Sequence, residues 1–132
     1  MKKEIRYLIE RNYLQGALNE MHTERMKEGY HPDFAIFFPG ADGQLGKLSL
    51  GSWIGLVEED KRQGGNRAEL RQLEAEFLQI EVSGQAAFVK LKLLRKGEPL
   101  FTDFITLLKM EGRWQIVTKI YDQHVEDPWH LA

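Results

Sequence analysis

The sequence has no cysteine and no excess of positive charge. The absence of cysteine excludes a disulfide framework, a thiolate metal site and a cysteine nucleophile. The 18 Lys and Arg against 20 Asp and Glu give a formal net charge of −2, whereas a general nucleic-acid-binding protein needs a basic excess. We therefore expect no nucleic-acid partner.

Long apolar runs are also missing from the chain. No segment approaches the ~20 apolar residues that a helix needs to cross a bilayer, and the charged start Met1–Arg6 is not followed by the apolar stretch of a secretory signal. We therefore expect a cytoplasmic protein with no membrane partner. The chain does have 132 residues, 42% of them hydrophobic, with 7 Phe, 4 Tyr and 3 Trp. That is enough apolar material for one core, and it predicts a single domain over residues 1–132.

The first half of the chain has helical periodicity. Apolar residues at steps of four predict a helix from Lys2 to about Met21, and a second short helix is predicted over Thr23–Glu28, with Thr23 as its cap. A strand at Phe34–Phe38 and a return strand at Leu45–Leu48 follow. A third helix, capped by Ser49 or Ser52, contains Trp53 and precedes a predicted break at Gly64-Gly65-Asn66.

The second half has the alternating pattern of β-strands. We predict strands over Phe77–Val82, Ala87–Leu94, Leu100–Leu108 and Trp114–Tyr121, with turns at Gly84 and Gly97 between the first three. Helices first and long antiparallel strands afterwards predict an α+β fold, in which three helices cover the concave face of a curved sheet.

Both faces of the predicted sheet carry apolar residues. By the alternation of strand side chains, six apolar residues point to the face opposite that of their apolar neighbours, namely Phe88, Leu94, Phe104, Leu108, Ile116 and Ile120. One face can pack on the helices, so the outer face needs another partner. We therefore expect a homodimer through the outer sheet face, with Phe88, Phe104 and Ile116 as the residues to test.

The last hairpin predicts one specific pair. Met110-Glu111-Gly112 is interpreted as a three-residue loop, and this places Asp103 directly opposite Lys119 and Phe101 opposite Tyr121. Charges on a buried face must be paired or hydrogen-bonded. Two interpretations remain open, a structural ion pair or a pocket acid with a shifted pKa.

The order of these elements resembles the nuclear transport factor 2-like superfamily, and within it the bacterial branch labelled putative lumazine-binding. The matching segments are Tyr13–Gly16, Gly29–Phe34, Ser52–Ile54, Ile80–Ala87, Phe101–Leu108 and Gly112–Tyr121. The resemblance implies an α+β cone of the ketosteroid-isomerase-like (SnoaL-like) type, with a mixed sheet around a pocket and usually a homodimeric assembly. The superfamily includes isomerases, cyclases, dehydratases, hydrolases and simple binding proteins, so the fold does not decide the function.

An isomerase-like site can be compared with this chain residue by residue. Tyr13-Leu14 fits the family tyrosine of the first helix, and Asp103 is similar in position to the family acid on the penultimate strand. The family's general base precedes a proline at the end of the first strand, where this chain has Phe38 before Pro39. Phenylalanine cannot take a proton, and an adjacent Lys119 would lower the pKa of Asp103, so isomerase chemistry is disfavoured.

The sequence therefore predicts a protein that binds a small apolar or aromatic molecule in the cone. The alternatives are a non-catalytic homodimeric interaction module, or an enzyme of the dehydratase, cyclase or hydrolase type. The pocket candidates are Tyr13, His31, Phe38, Trp53, Phe101, Asp103, Lys119 and Tyr121. His31 has a competing interpretation as a residue that hydrogen-bonds to the backbone at a turn. No cofactor or metal is expected, because Asp122, His124, Asp127 and His130 have no recognisable metal-ligand spacing.

Overall fold

Three α-helices and a six-stranded sheet make up most of the structure, a computed structural model that describes residues 1–64 and 68–129. The α-helices are α1 (Lys2–Leu8), α2 (Thr23–Gly29) and α3 (Leu50–Gly64), and α1 continues into a π-helix at Ile9–Asn19. A short 3-10 helix covers Ala68–Arg71. The strands are β1 (Tyr30–Pro39), β2 (Leu45–Ser49), β3 (Glu74–Ser83), β4 (Ala86–Arg95), β5 (Glu98–Met110) and β6 (Arg113–Gln123).

The sheet has the strand order β2-β1-β6-β5-β4-β3 and is not closed. Every neighbouring pair is antiparallel except β1 and β6, which run parallel. The helices pack on one face of the sheet, where Ile5, Ile9 and Tyr13 share a core with Val89 and Ile105. This confirms the predicted α+β cone with helices over one face of a mixed, mainly antiparallel sheet.

The first predicted helix changes type along its length. Residues at steps of four fit both helix types, so the periodicity that predicted one helix to Met21 did not distinguish the α-helical start from the π-helix at Ile9–Asn19. Gly16 lies within the π-helix, where a Cβ would be 3.0 Å from the Cβ of Arg25 on α2. The close approach of α2 explains why a residue with poor helix propensity occupies this position.

Polar side chains cap two of the helices. Ser49 Oγ accepts a hydrogen bond from the backbone N–H of Ser52 at 3.2 Å, as one of the predicted alternatives requires. For α2 the prediction of Thr23 as the cap was wrong. His22 is the cap, and its Nδ1 accepts the backbone N–H of Arg25 at 3.3 Å.

The register predicted for the last hairpin was wrong. The turn has two residues, Glu111 and Gly112, both with positive φ (54° and 74°), and Met110 faces Arg113. Two left-handed residues in a row are typical of a type I′ turn, whose twist matches that of the flanking strands. Together with a bulge further along β6, this turn places Asp103 opposite Tyr121 and Ile105 opposite Lys119.

A β-bulge at Val117 also changes which side chains of β6 face the core. Leu107 faces Ile116, but the next residue, Thr106, faces Thr118, so Val117 is an extra residue on β6. Ile116 is therefore buried, with 1% of its surface exposed, whereas Ile120 is 51% exposed. The prediction that Ile116 lies on the outer face was wrong, because the bulge reverses the side-chain parity between the two isoleucines.

Other boundaries differ from the predictions in smaller ways. The strand predicted at Phe77–Val82 begins earlier, at Glu74, and β1 begins at Tyr30 rather than Phe34. Gly65 and Asn66 of the predicted break lie outside the described residues. Within residues 1–64 and 68–129, no helix is both long enough and apolar enough to cross a membrane.

Candidate functional site

A cavity of about 580 Å³ lies between the helices and the concave face of the sheet. Its wall combines residues of the π-helix, α3, β1, β5 and β6. Six of the eight predicted pocket residues line it, namely Tyr13, Phe38, Trp53, Phe101, Lys119 and Tyr121. The wall is largely aromatic and aliphatic, so the few polar groups that reach it have a disproportionate influence on what it can hold.

Three buried side chains from distant segments form one hydrogen-bonded chain at this cavity, which we call the inner chain (Tyr13, Asp103 and Lys119). Lys119 Nζ donates to Tyr13 Oη at 2.9 Å, and the Tyr13 hydroxyl donates a short hydrogen bond to Asp103 Oδ2. Tyr13 and Asp103 are each 1% exposed, and Lys119 is 8% exposed. Tyr13 therefore stands between the lysine and the carboxyl group, in place of the direct pair that the sequence predicted.

The lysine of the inner chain is surrounded by aromatic rings. Its Nζ lies 4.7 Å from the ring centre of Tyr13, 5.3 Å from that of Tyr121 and 5.4 Å from that of Trp53. Ring faces attract a cation through their quadrupole but offer no lone pair of a carboxylate or carbonyl. Nζ is thus held by one hydroxyl and three π-faces.

Burial shifts the ionisation of the inner chain. Burial raises the pKa of Asp103 above its ordinary 3.8, although Lys119 and the Tyr13 hydroxyl both act to lower it. Burial lowers the pKa of Lys119 from its ordinary 10.5, against the opposing effect of Asp103. The predicted effect of Lys119 on Asp103 is therefore present, but the net shift of the Asp103 pKa is upward because desolvation is the larger effect.

Two shifts in the pairing of β5 and β6 keep Asp103 and Lys119 on one face. The shorter turn displaces the register by one residue from the predicted one, and the bulge at Val117 displaces it by one more. A total shift of two leaves side-chain orientation unchanged, because strand side chains alternate with a period of two. Asp103 and Lys119 therefore become diagonal neighbours on the concave face, with room for the Tyr13 hydroxyl between them.

The remaining two predicted pocket residues do not reach the cavity wall. Asp103 accepts a hydrogen bond from the lining residue Tyr13 but does not line the cavity itself. His31 lies on the early part of β1, where its Nδ1 accepts the backbone N–H of Asp33 at 2.9 Å. The structure thus gives His31 the backbone-bonding arrangement that was its competing interpretation.

One polar pair on the cavity wall was missed by the sequence reasoning. Arg71 forms a short ion pair with Asp60, and its guanidinium carbon lies 4.6 Å from the ring centre of Trp129. We call Asp60 and Arg71 the rim pair, because the Asp60 side chain is 51% exposed and that of Arg71 19%. These residues come from α3, the 3-10 helix and the segment after β6, and no local pattern connects such distant positions.

The residues considered as metal ligands are placed differently. His124 Nδ1 lies 3.6 Å from Asp122 Oδ2, and its Nε2 is hydrogen-bonded to Thr102 Oγ1 at 2.7 Å. His130 lies outside the described residues. Within the part of the chain that the structure describes, no three His, Asp or Glu side chains converge as a metal site would require.

Comparison with known proteins places this arrangement in a family. The profile of the family described as putative lumazine-binding matches residues 2–122. An aldolase named FrzH, from Cladobotryum sp, is 28% identical over 109 residues, which cover 82% of this chain and 81% of that protein.

Solved structures share the fold at lower identity. An NTF2-like protein of unknown function from Shewanella baltica superposes with a TM-score of 0.70 at 23% identity, covering 94% of this chain and 96% of that one. An NTF2-like protein of unknown function from Silicibacter pomeroyi gives a TM-score of 0.71 at 20% identity, covering 92% and 94%. At these identities the likeness establishes the fold alone.

Proposed function

We propose a binding function from one premise: this chain belongs to the family described as putative lumazine-binding. Its cavity of about 580 Å³ has the size of a site for a small organic molecule, roughly 300–1,000 Å³. The observation that carries the proposal is the inner chain. Lys119 and the Tyr13 hydroxyl bring polar groups to a wall that is otherwise aromatic and aliphatic.

The bound molecule would be a flat, mainly apolar compound with one polar group. The rings of Trp53, Phe101 and Tyr121 provide apolar contact area on several sides of the cavity. Lys119 Nζ is the donor that would orient a carbonyl or anionic oxygen. This arrangement positions a ligand. It differs from an isomerase site because Phe38, which precedes Pro39, lines the cavity at the position where the isomerases have their general base.

Binding can be tested by the thermal stabilisation that added compounds produce. Lumazine and naphthylmethanol are suitable probes, since both are flat and carry polar oxygen. We expect the probe that fits to raise the Tm of the wild type but not of Lys119→Met. Lys90→Met is the matched control, because Lys90 also stacks on a ring, that of Phe104 at 5.8 Å, but lies on β4 away from the cavity. Equal stabilisation of wild type and Lys119→Met would contradict the proposal.

An enzymatic role at the same cavity is a second candidate function. It is supported by the similarity to FrzH, a protein named as an aldolase, over four-fifths of both chains. The test is cleavage of a naphthyl β-hydroxyketone, which releases a fluorescent naphthaldehyde. Cleavage by the wild type, lost in Lys119→Met and retained in Lys90→Met, is the expected result, and equal rates in all three proteins would refute it.

The outer face of the sheet supports a separate proposal, self-association. Leu108 is 41% and Ile120 51% exposed, and Phe88 and Phe104 beside them are half-buried. A second copy of this chain would cover these residues. Sedimentation of a dimer that Ile120→Lys dissociates is the expected result, and a monomer at micromolar concentration would exclude it.

A further inference from the structure

We infer that Lys119 is a nucleophilic amine that captures an aldehyde or a ketone as an iminium inside the cavity. This inference rests on the proposed function, since the carbonyl compound must first occupy the cavity. It deepens that proposal by naming the chemical class of the ligand and the bond that it forms.

The placement of Lys119 Nζ is the first argument. The lysine lines the cavity, yet only 8% of its surface is exposed. Its Nζ has one hydrogen-bond acceptor among the described residues, the Tyr13 hydroxyl at 2.9 Å, and three ring faces within 5.4 Å. The ring faces attract the ammonium, but an ammonium enclosed in this way also loses most of its hydration, and that larger effect favours the neutral amine.

The inner chain supplies a path for the proton that the amine must lose. In the charged arrangement, Lys119 donates to Tyr13 Oη and the Tyr13 hydroxyl donates to Asp103 Oδ2. If both protons move one step along the chain, Asp103 Oδ2 donates to Tyr13 Oη and the Tyr13 hydroxyl donates to Nζ. The same heavy atoms at the same positions serve both arrangements, so the amine becomes neutral without any side chain moving.

The second carboxyl oxygen favours that shift. Asp103 Oδ1 is buried and has no hydrogen-bond partner among the described residues. An unpartnered oxygen is costly on a buried carboxylate and cheaper on a neutral carboxyl group. Asp103 is thus suited to hold the proton of Lys119 while the amine reacts.

The reaction balances within these groups and the ligand. The hydrogen bond from the Tyr13 hydroxyl to Nζ first breaks and frees the single lone pair of the amine. This lone pair forms the C–N bond, the C=O π pair moves to oxygen, and that oxygen takes one proton from Nζ to give a carbinolamine. Asp103, through Tyr13, then returns the stored proton to the hydroxyl as it leaves as water, and the nitrogen lone pair forms the C=N bond. The sum is ammonium plus carbonyl compound giving iminium plus water, with no oxidant or reductant needed.

Other ionisable groups interact with the inner chain or line the same cavity, one or more from each packed element. They are Tyr13 on the π-helix, Tyr30 on β1, Asp103 on β5, Tyr121 on β6, and the rim pair Asp60 and Arg71. Burial raises the pKa of Tyr13 and of Tyr30. Asp103 is the carboxyl group among them that the Tyr13 hydroxyl connects to Nζ, so it is the group that stores the proton of Lys119.

Reductive trapping tests the inference. The protein is incubated with naphthaldehyde and cyanoborohydride, which reduces an iminium to a stable secondary amine, and the modified lysine is located by peptide mass spectrometry. Each unit by which the pKa of an amine is lowered raises its unprotonated fraction about tenfold. We expect Lys119 to be labelled at pH 7 at least about tenfold faster than the exposed lysines, with Lys119→Arg losing this label and Lys90→Arg keeping it.

A parallel titration with naphthylmethanol separates this inference from the proposed function. If the alcohol raises the Tm but the aldehyde labels Lys119 no faster than exposed lysines, capture is refuted and binding stands. If the alcohol does not raise the Tm and the aldehyde does not label Lys119 faster than the exposed lysines, both binding and capture are refuted.

The role of Asp103 as a positioning residue has its own readout. Its carboxylate acts to raise the pKa of Lys119. Asp103→Asn should therefore move the midpoint of the labelling–pH profile to lower pH. A merely structural role would change the amount of labelled protein but not the midpoint, so an unchanged midpoint would overturn this assignment.

Discussion

The inner chain and the rim pair offer the same functional groups at two depths of one cavity. Each combines a carboxyl group and a cation with aromatic rings. In the rim pair, Asp60 and Arg71 contact each other directly, and the Asp60 side chain is half exposed. In the inner chain, Asp103 and Lys119 are almost fully buried and are connected through the Tyr13 hydroxyl. Solvent screens the ion pair at the rim, whereas burial brings the inner groups toward their neutral forms.

The largest expected effect is that of Tyr13→Phe, which removes the oxygen on which both inner hydrogen bonds depend. Asp103 would then have no hydrogen-bond donor on either oxygen among the described residues, and Lys119 no acceptor. Stranding buried polar groups in this way should lower the free energy of unfolding by about 3 kcal/mol. Urea denaturation measures this loss. The double variant Tyr13→Phe/Asp103→Leu should recover part of it, and a loss below about 1 kcal/mol would show that water replaces the hydroxyl.

The second largest effect that should distinguish the inner chain from the rim pair is the dependence of stability on pH. Because burial raises the pKa of Asp103 in the folded state above 3.8, the folded protein holds a proton that the unfolded chain releases. The stabilisation of the folded protein that comes from the raised pKa of Asp103 is therefore fully present below pH 3.8 and is lost as the pH rises through the folded-state pKa. Urea denaturation across this range should show a fall in the wild type that is absent in Asp103→Asn, amounting to about 1.4 kcal/mol per unit of pKa difference.

At alkaline pH, Lys119 should make the free energy of unfolding change with pH in the opposite direction. Its pKa is lowered in the folded state from 10.5, so the unfolded chain binds the extra proton there. Stability should therefore rise with pH between the folded-state pKa and 10.5, and Lys119→Met should lack this rise. A wild type that loses stability across this interval relative to Lys119→Met would contradict the assignment.

Asp103→Asn at neutral pH should cost less than Tyr13→Phe. Asparagine resembles the neutral carboxyl group and still accepts from the Tyr13 hydroxyl, so we expect a loss of about 1 kcal/mol. The thermal stabilisation by a bound probe should become smaller without disappearing, because the Asp103 charge that acts to raise the pKa of Lys119 is gone and the ammonium that orients the probe oxygen is less favoured. A large loss of stability with binding intact would instead make the inner chain a purely structural element.

The smallest effect is expected at the rim. Asp60→Asn removes one charge of a half-exposed ion pair, and such pairs contribute about 0.5 kcal/mol, less at high salt. Urea denaturation of the wild type and of Asp60→Asn at low and high salt measures the loss of stability and its decrease with salt. A loss comparable to that of Tyr13→Phe would remove the distinction between the two depths.

Local sequence signals predicted most of the fold. Gly84 and Gly97 correctly mark the turns between the first three long strands, and the alternation on β4 correctly assigns Val89 and Leu91 to the core. Gly112 marks the position of the last turn but not its length, which is two residues rather than the predicted three. Such features depend on a few consecutive residues, because turn chemistry and side-chain alternation act over short distances. The boundaries were less accurate, since strand ends depend on the neighbouring strand.

The sequence by itself determined the order of elements, the aromatic and aliphatic lining, and the parity that places Asp103 toward the helices. Only the tertiary structure decided how the inner chain is connected. The bulge at Val117 brings Lys119 to the same face as Ile116, and the path of the π-helix inserts the Tyr13 hydroxyl between lysine and carboxyl. The contacts that place Tyr13 join segments at least 90 residues apart, and no local pattern of the β6 sequence marks the bulge. The ionisation of the buried groups is set by the water that this packing removes.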